Sequence, residues 1–246
     1  MHYFVRKNGE LYCENVKVAD IAKKTGTPVY IYSKRTIVEH YRKIEAAFSG
    51  VDHLICYALK ANSNLGIIKT LQKEGCGADI VSGGELYKAL KAGIAPSKIV
   101  YAGVGKTEEE IATAIKNRIF MFNIESMPEA ERINAAAKKL GKKVEVALRI
   151  NPDVDPDTHH YITTGKKENK FGLNISKAKK FFLFASGLKN LKVCGIHTHI
   201  GSQITKVEPY ILALKKVIAL KKELEKAGIV ITRLNIGGGL GIIYQK

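Results

Sequence analysis

The chain has 246 residues, 46% hydrophobic and 26% charged, enough apolar material for the core of one α/β barrel. Forty basic against 23 acidic residues give a net charge of +17. The lysines are nevertheless interleaved with glutamates, as in Lys221-Lys222-Glu223-Leu224-Glu225-Lys226, the pattern of a solvated surface rather than a nucleic-acid stripe. No apolar run approaches the ~18 residues of a membrane span, and no secretory core follows Met1-His2-Tyr3-Phe4-Val5-Arg6. Cys13, Cys56, Cys76 and Cys194 lack metal-site or disulfide-framework spacing. A cytoplasmic protein without a metal is expected.

In chain order, residues 3–12 and the run Thr27-Pro28-Val29-Tyr30-Ile31-Tyr32 read as strands that precede a barrel and need a sheet elsewhere to pair with. β-Branched runs then recur at 54–59, 78–81, 99–101, 119–122, 144–150, 193–198 and 231–236. Helical segments lie between them, with apolar residues at helical spacing such as Ile211, Leu214, Ile218 and Val217, Leu220, Leu224. This beat implies parallel strands with helices outside, an α/β (β/α)8 TIM-type barrel of which about seven strands are present. The expected division is an N-terminal segment 1–34 and a barrel over 35–246. Gly237-Gly238-Gly239-Leu240-Gly241 should lead into a further helix and strand, and the unpaired N-terminal strands call for a β-domain. Both ends suggest a chain lacking its C-terminal half.

In β/α barrels chemistry gathers at the C-terminal ends of strands, and the reactive side chains fall there. Lys60 closes the first strand, where desolvation would lower its amine pKa and make it an imine-forming nucleophile; the plainer reading is a lysine reaching for water. Asp79 belongs to the second strand and Glu85 opens the next helix. Arg149 ends the fifth. For these three, a structural ion-pair network is the alternative to a direct role. His197 and His199 end the sixth strand, before Gly201-Ser202-Gln203. Gly237, Gly238 and Gly239 end the seventh, where missing Cβ atoms let backbone amides approach a phosphate. Gly103-Val104-Gly105-Lys106-Thr107 is not a P-loop, because Val100 stands where its first glycine belongs. His197-Thr198-His199 has zinc-compatible spacing, but the cysteines add no ligand. His159 and His160 lie in the segment 151–170, which has the length of an active-site loop. Stacking on a flat cofactor is the better use for one histidine.

A lysine, a phosphate cradle and a stacking histidine in one barrel mouth describe a pyridoxal phosphate site. The motifs Tyr57-Ala58-Leu59-Lys60-Ala61-Asn62, Asp79-Ile80-Val81-Ser82-Gly83-Gly84-Glu85-Leu86, Arg149-Ile150-Asn151-Pro152, Lys170-Phe171-Gly172, His197-Thr198-His199-Ile200-Gly201-Ser202-Gln203 and the glycine run occur in the order expected for one family. The chain resembles the diaminopimelate decarboxylases, of the alanine-racemase-like, fold-type III pyridoxal phosphate enzymes. The resemblance implies that Lys60 holds pyridoxal 5'-phosphate covalently and that His199, rather than His197, stacks on its ring. It implies phosphate binding by Ser202, Gly237, Gly238 and Gly239, with Asp79, Glu85 and Arg149 in the surrounding polar network. The implied reaction is decarboxylation of meso-2,6-diaminopimelate to L-lysine, the last step of lysine biosynthesis. A small amino acid would be the substrate and a homodimer the full-length state, with no nucleic-acid or membrane partner. Sister decarboxylases of ornithine, arginine or carboxynorspermidine, and non-catalytic pyridoxal phosphate barrels, are the alternatives. The family's Glu-Pro-Gly segment, its cross-dimer cysteine and its cofactor-binding tyrosine are missing from this sequence. Residues 1–246 alone are therefore expected to catalyse poorly and, as an unclosed sheet, to associate.

Overall fold

Asn8 and Gly9 both adopt positive φ, 50° and 79°, and turn the chain back on itself. In the computed structural model, which describes residues 3–154 and 171–242, the single strand expected over 3–12 is therefore a hairpin of β1 (Phe4–Lys7) and β2 (Glu10–Cys13). With β3 (Val16–Lys17) these strands form an antiparallel sheet in the order β1-β2-β3. They pair with one another as a small sheet separate from the parallel one. The second expected strand, 27–32, is not one. Pro28 has no amide hydrogen to donate to a ladder, and Tyr30 stands 86% exposed. After α1 (Val18–Thr25) the chain enters α2 (Lys34–Ala47). The small sheet is fastened to the start of α2. The Tyr3 hydroxyl bonds the Glu39 carboxylate at 2.5 Å, and Glu14 Oε1 accepts from Ser33 Oγ at 2.7 Å and Arg35 N at 2.8 Å.

The second sheet follows the expected beat: β4 (Cys56–Ala58), α3 (Leu65–Lys73), β5 (Gly77–Ile80), α4 (Gly83–Lys91), β6 (Ile99–Tyr101), α5 (Glu108–Lys116), β7 (Met121–Ile124), α6 (Met127–Lys139) and β8 (Val144–Asn151). It continues through β9 (Leu173–Asn174), α7 (Ile175–Ser186), β10 (Leu191–His197), α8 (Glu208–Lys226) and β11 (Arg233–Asn235). Among the described residues, seven strands pair in parallel in the order β4-β5-β6-β7-β8-β10-β11, and the two-residue β9 pairs with the end of β8. The outermost strands, β4 and β11, each have one neighbour among the described residues. The fourth barrel strand begins two residues later than its β-branched pattern suggested. Ile119 still donates to Ala114 O and closes α5, with Arg118 at φ 56°.

Register decides what each face carries. Asp79 pairs with Val100, Val100 with Met121, Asn123 with Ala147, and Arg149 with His197. Paired residues point the same way and neighbours along a strand point oppositely. Val100, Met121 and Ala147 form their own small buried cluster, which places Asp79, Asn123, Arg149 and His197 on the same inner face. The alternate residues Ile80, Tyr101, Phe122, Ile124, Val146, Leu148 and Ile196 point outward, into the large core shared with the helices. Three helices start at matching Ser/Thr-x-x-Glu boxes beside the C-terminal strand ends: Ser82 accepts from Glu85 N, Thr107 from Glu110 N, and Ser126 from Glu129 N. No helix among the described residues is long and apolar enough to cross a membrane.

Helix α8 settles which of its two apolar rows is core. Val217, Leu220 and Leu224 are buried, whereas Ile211, Leu214 and Ile218 are 47, 38 and 39% exposed. Leu224→Ala should therefore cost about 2–5 kcal/mol in chemical denaturation, and Ile211→Lys or Ile218→Lys should stay within about 0.5 kcal/mol of the parent. Equal losses from the two rows would contradict this packing.

Candidate functional site

The inner polar residues converge at the C-terminal ends of the strands. Lys60 lies in the turn after β4. That turn is tied down by Leu59 N to Asp79 O at 3.0 Å, Ala61 N to Ala58 O at 3.1 Å and the Tyr57 hydroxyl to Asn62 O at 3.1 Å. Lys60 is exposed, where its place at the end of an apolar run suggested burial. Beside it, Asp79 is half-buried on β5, and burial raises its carboxyl pKa to about 6; Lys60 and Arg149 oppose that rise and Glu85 adds to it. Glu85 itself is committed to the helix start, its Oε2 accepting from Val81 N at 2.8 Å.

Arg149 is held by both oxygens of Glu125, at 2.8 and 3.0 Å, and its guanidinium lies 5.5 Å from the Phe171 ring centroid. It reaches both histidines electrostatically. Burial, followed by Arg149 and Lys60, lowers the His199 pKa to about 4. His199 is thus neutral at pH 7, and its Nδ1 accepts from Gly238 N at 3.3 Å, which leaves the proton on Nε2. His197 ends β10, is 6% exposed, and its Nδ1 has no hydrogen-bond partner among the described residues. Burial, with Arg149 and His199 adding, pushes its pKa well below the usual imidazole value. The two histidines thus occupy different environments despite their i, i+2 spacing.

The glycine run folds against the loop that follows β10. Gly237 and Gly239 have φ of 75° and 91°, and a Cβ on them would stand 2.4 Å from Thr198 O and 1.9 Å from Gly201 O. Only glycine fits there. Ile204 N donates to Gly239 O and Gly241 N to Ile204 O, both at 2.8 Å, lacing the two loops together. The amides of Gly237 and Gly238 are already engaged, by Asn235 Oδ1 at 2.9 Å and by His199. The Gly239 amide and the exposed Ser202 hydroxyl are among the donors at this cradle that have no hydrogen-bond partner among the described residues. His159, His160 and Lys170 lie outside the described residues.

Lys60, Asp79, Glu85, Arg149, His199 and the cradle thus meet at one mouth. Sequence reasoning missed Glu125, Glu129 and Lys106, which support Arg149 from behind. Glu125 was hidden by placing the fourth strand two residues early, and the Ser126-Met127-Pro128-Glu129 box was the signal that could have marked the true strand end. Lys106 was passed over once its motif failed as a P-loop. A cavity of about 330 Å³ lined by Arg118, Phe120, Val144 and Glu145 opens at the opposite ends of the strands, away from these residues.

Residues 34–246 match the family described as pyridoxal-dependent decarboxylase, pyridoxal binding domain. The chain belongs to that family. A diaminopimelate decarboxylase of Aquifex aeolicus is 51% identical over 99% of this chain, and one of Vibrio cholerae is 48% identical over all of it. The crystal structure of the M. jannaschii diaminopimelate decarboxylase in complex with L-lysine superposes with a TM-score of 0.92 at 43% identity, covering 99% of this chain and 58% of that one. The chain spans 57 and 59% of the two relatives' lengths.

The mouth fits pyridoxal phosphate: glycine loops packed too close to backbone for any Cβ, with a free amide and a hydroxyl beside them, a neutral imidazole, an accessible amine and a fixed guanidinium. Two outcomes test its geometry. Gly239→Ala should destabilise by about 2–4 kcal/mol, while Gly238→Ala, whose Cβ meets nothing within 4 Å, should be tolerated. For Asp79, a folded pKa near 6 lies above the unfolded value of 3.8. The folded state then binds more protons between pH 4 and 6, and stability falls as pH rises through that window. Asp79→Asn should raise the unfolding free energy by an amount that grows from pH 4 to 6 and levels near about 3 kcal/mol. A gain independent of pH would refute the burial cause.

Proposed function

We propose that this chain is the cofactor-bearing barrel part of a diaminopimelate decarboxylase, converting meso-2,6-diaminopimelate to L-lysine and carbon dioxide. The observation that carries this reading is identity of 48–51%, sustained over 99–100% of the chain, with proteins of that name. Pyridoxal phosphate, when bound, supplies an electron-withdrawing ring that stabilises the charge left on an amino-acid α-carbon as carbon dioxide departs.

This chain's residues would bind and orient that group. Lys60 anchors it through its amine, which exposure leaves reachable. His199 lies against the ring as a neutral imidazole, fixed by the Gly238 amide at Nδ1. The Gly239 amide and the Ser202 hydroxyl donate to the phosphate, while Gly237 and Gly238 shape the cradle. Asp79, with its carboxyl near pKa 6, holds or releases a proton close to the Lys60 amine at neutral pH. Arg149 supplies fixed positive charge for an anionic group at the mouth, and Glu85 keeps the start of α4 in place beside Asp79. The substrate is a small amino acid, and the protein acts in the cytoplasm as a homodimer at the length of its relatives.

Borohydride treatment of the protein in which this chain occurs, loaded with pyridoxal phosphate, should attach the cofactor irreversibly to Lys60, as read by peptide mapping. The same protein should release carbon dioxide from meso-diaminopimelate and form lysine, with little turnover of ornithine or arginine. A label on another lysine would overturn the anchor, and preference for ornithine or arginine would overturn the substrate.

A further inference from the structure

Lys106 lies in the loop between β6 and α5, is 3% exposed, and uses all three of its donors inside the protein. Its Nζ bonds Glu129 Oε1 at 2.5 Å, Gly103 O at 2.6 Å and Asn123 O at 2.9 Å. Glu129 is 1% exposed, and its other oxygen accepts from Glu125 N at 2.8 Å. Glu125 continues the inner face of β7 beyond Asn123 and grips Arg149 with both carboxylate oxygens. An unbroken set of contacts therefore joins the β6–α5 loop to the Arg149 guanidinium, crossing three successive βα units.

Stability alone is a weak reason for such a pair. Desolvating two charges offsets most of their attraction, and apolar replacements of similar volume are often as stable. What an apolar pair could not do is hold the Glu125 amide and so set the direction of its carboxylate. We infer that Lys106 and Glu129 are positioning residues that act through Glu125 to fix the Arg149 guanidinium toward the bound cofactor. This rests on the pyridoxal phosphate reading of the mouth.

The test replaces both charges at similar volume, Lys106→Met with Glu129→Met, in the protein in which this chain occurs. Denaturant unfolding should show a folded variant, and Lys106→Met alone, which strands the Glu129 charge, should be less stable than the pair. Pyridoxal phosphate should bind the double variant about tenfold more weakly or worse, the size typical of losing an outer partner of a site residue. Adding Arg149→Met to the double variant should then cost little more than the double change itself, because both act through one guanidinium. In the cofactor-free protein, the His199 imidazole titration followed by NMR should move upward in the double variant as Arg149 turns away. Three results would overturn the inference: unchanged cofactor affinity and His199 titration, effects additive with Arg149→Met, or a double variant that does not fold. Failure of the parent itself to bind pyridoxal phosphate would sink the cofactor reading instead, and the His199 titration would still decide whether Lys106 and Glu129 orient Arg149.

Discussion

Every strand of the parallel sheet has to satisfy two environments, and that constraint organises the molecule. One face of each strand packs on helices and must be apolar, as Ile80, Phe122, Leu148 and Ile196 are. The other lines the inside of the curled sheet, apolar in one cluster around Val100, Met121 and Ala147 and polar toward the C-terminal ends. Because side chains alternate with period two, a slip of one residue would send Asp79, Arg149 and His197 into the helix layer and bring isoleucines into the mouth. The burial that keeps the sheet in register is thus the same force that assembles the site.

Charges gathered at such a mouth require partners, and most are supplied by the chain itself. At the starts of α4, α5 and α6, Glu85, Glu110 and Glu129 bond backbone amides at Val81, Thr107 and Glu125. These helix starts are thereby occupied by the protein's own carboxylates. The loops after β10 and β11 are built differently, with a hydroxyl, a free amide and glycines approaching backbone more closely than any side chain allows. The chain thus separates a carboxylate-filled half of the mouth from one open to an anion, with Arg149 and the two histidines between them.

Much of this was legible in the sequence because it depends on local pattern. Seven β-branched runs separated by helical periodicity gave the parallel sheet, and the strand-end rule brought out Lys60, Asp79, Arg149, His199 and the glycines. The failures also have local causes. The φ > 0 turn at Asn8 and Gly9 was not credited with dividing a strand, and Thr27–Pro28 was read by its neighbours' β propensity rather than by proline's missing donor. A strand placed two residues early concealed Glu125.

By itself the sequence determined the periodicities, the turns that glycine alone permits and the residue types delivered to each strand end, all set within a few neighbouring positions. Which buried charges would meet was decided only by the tertiary structure. Lys106 and Glu129 are 23 residues apart, and Arg149 and Glu125 are 24 apart. Their meeting depends on strand order and register across successive βα units. The same holds for Lys60, which the pattern placed in a buried setting and the turn after β4 turned toward solvent. Exposure and ion pairing are properties of the assembled surface, because desolvation and Coulomb energies depend on everything packed nearby rather than on the chain's local order.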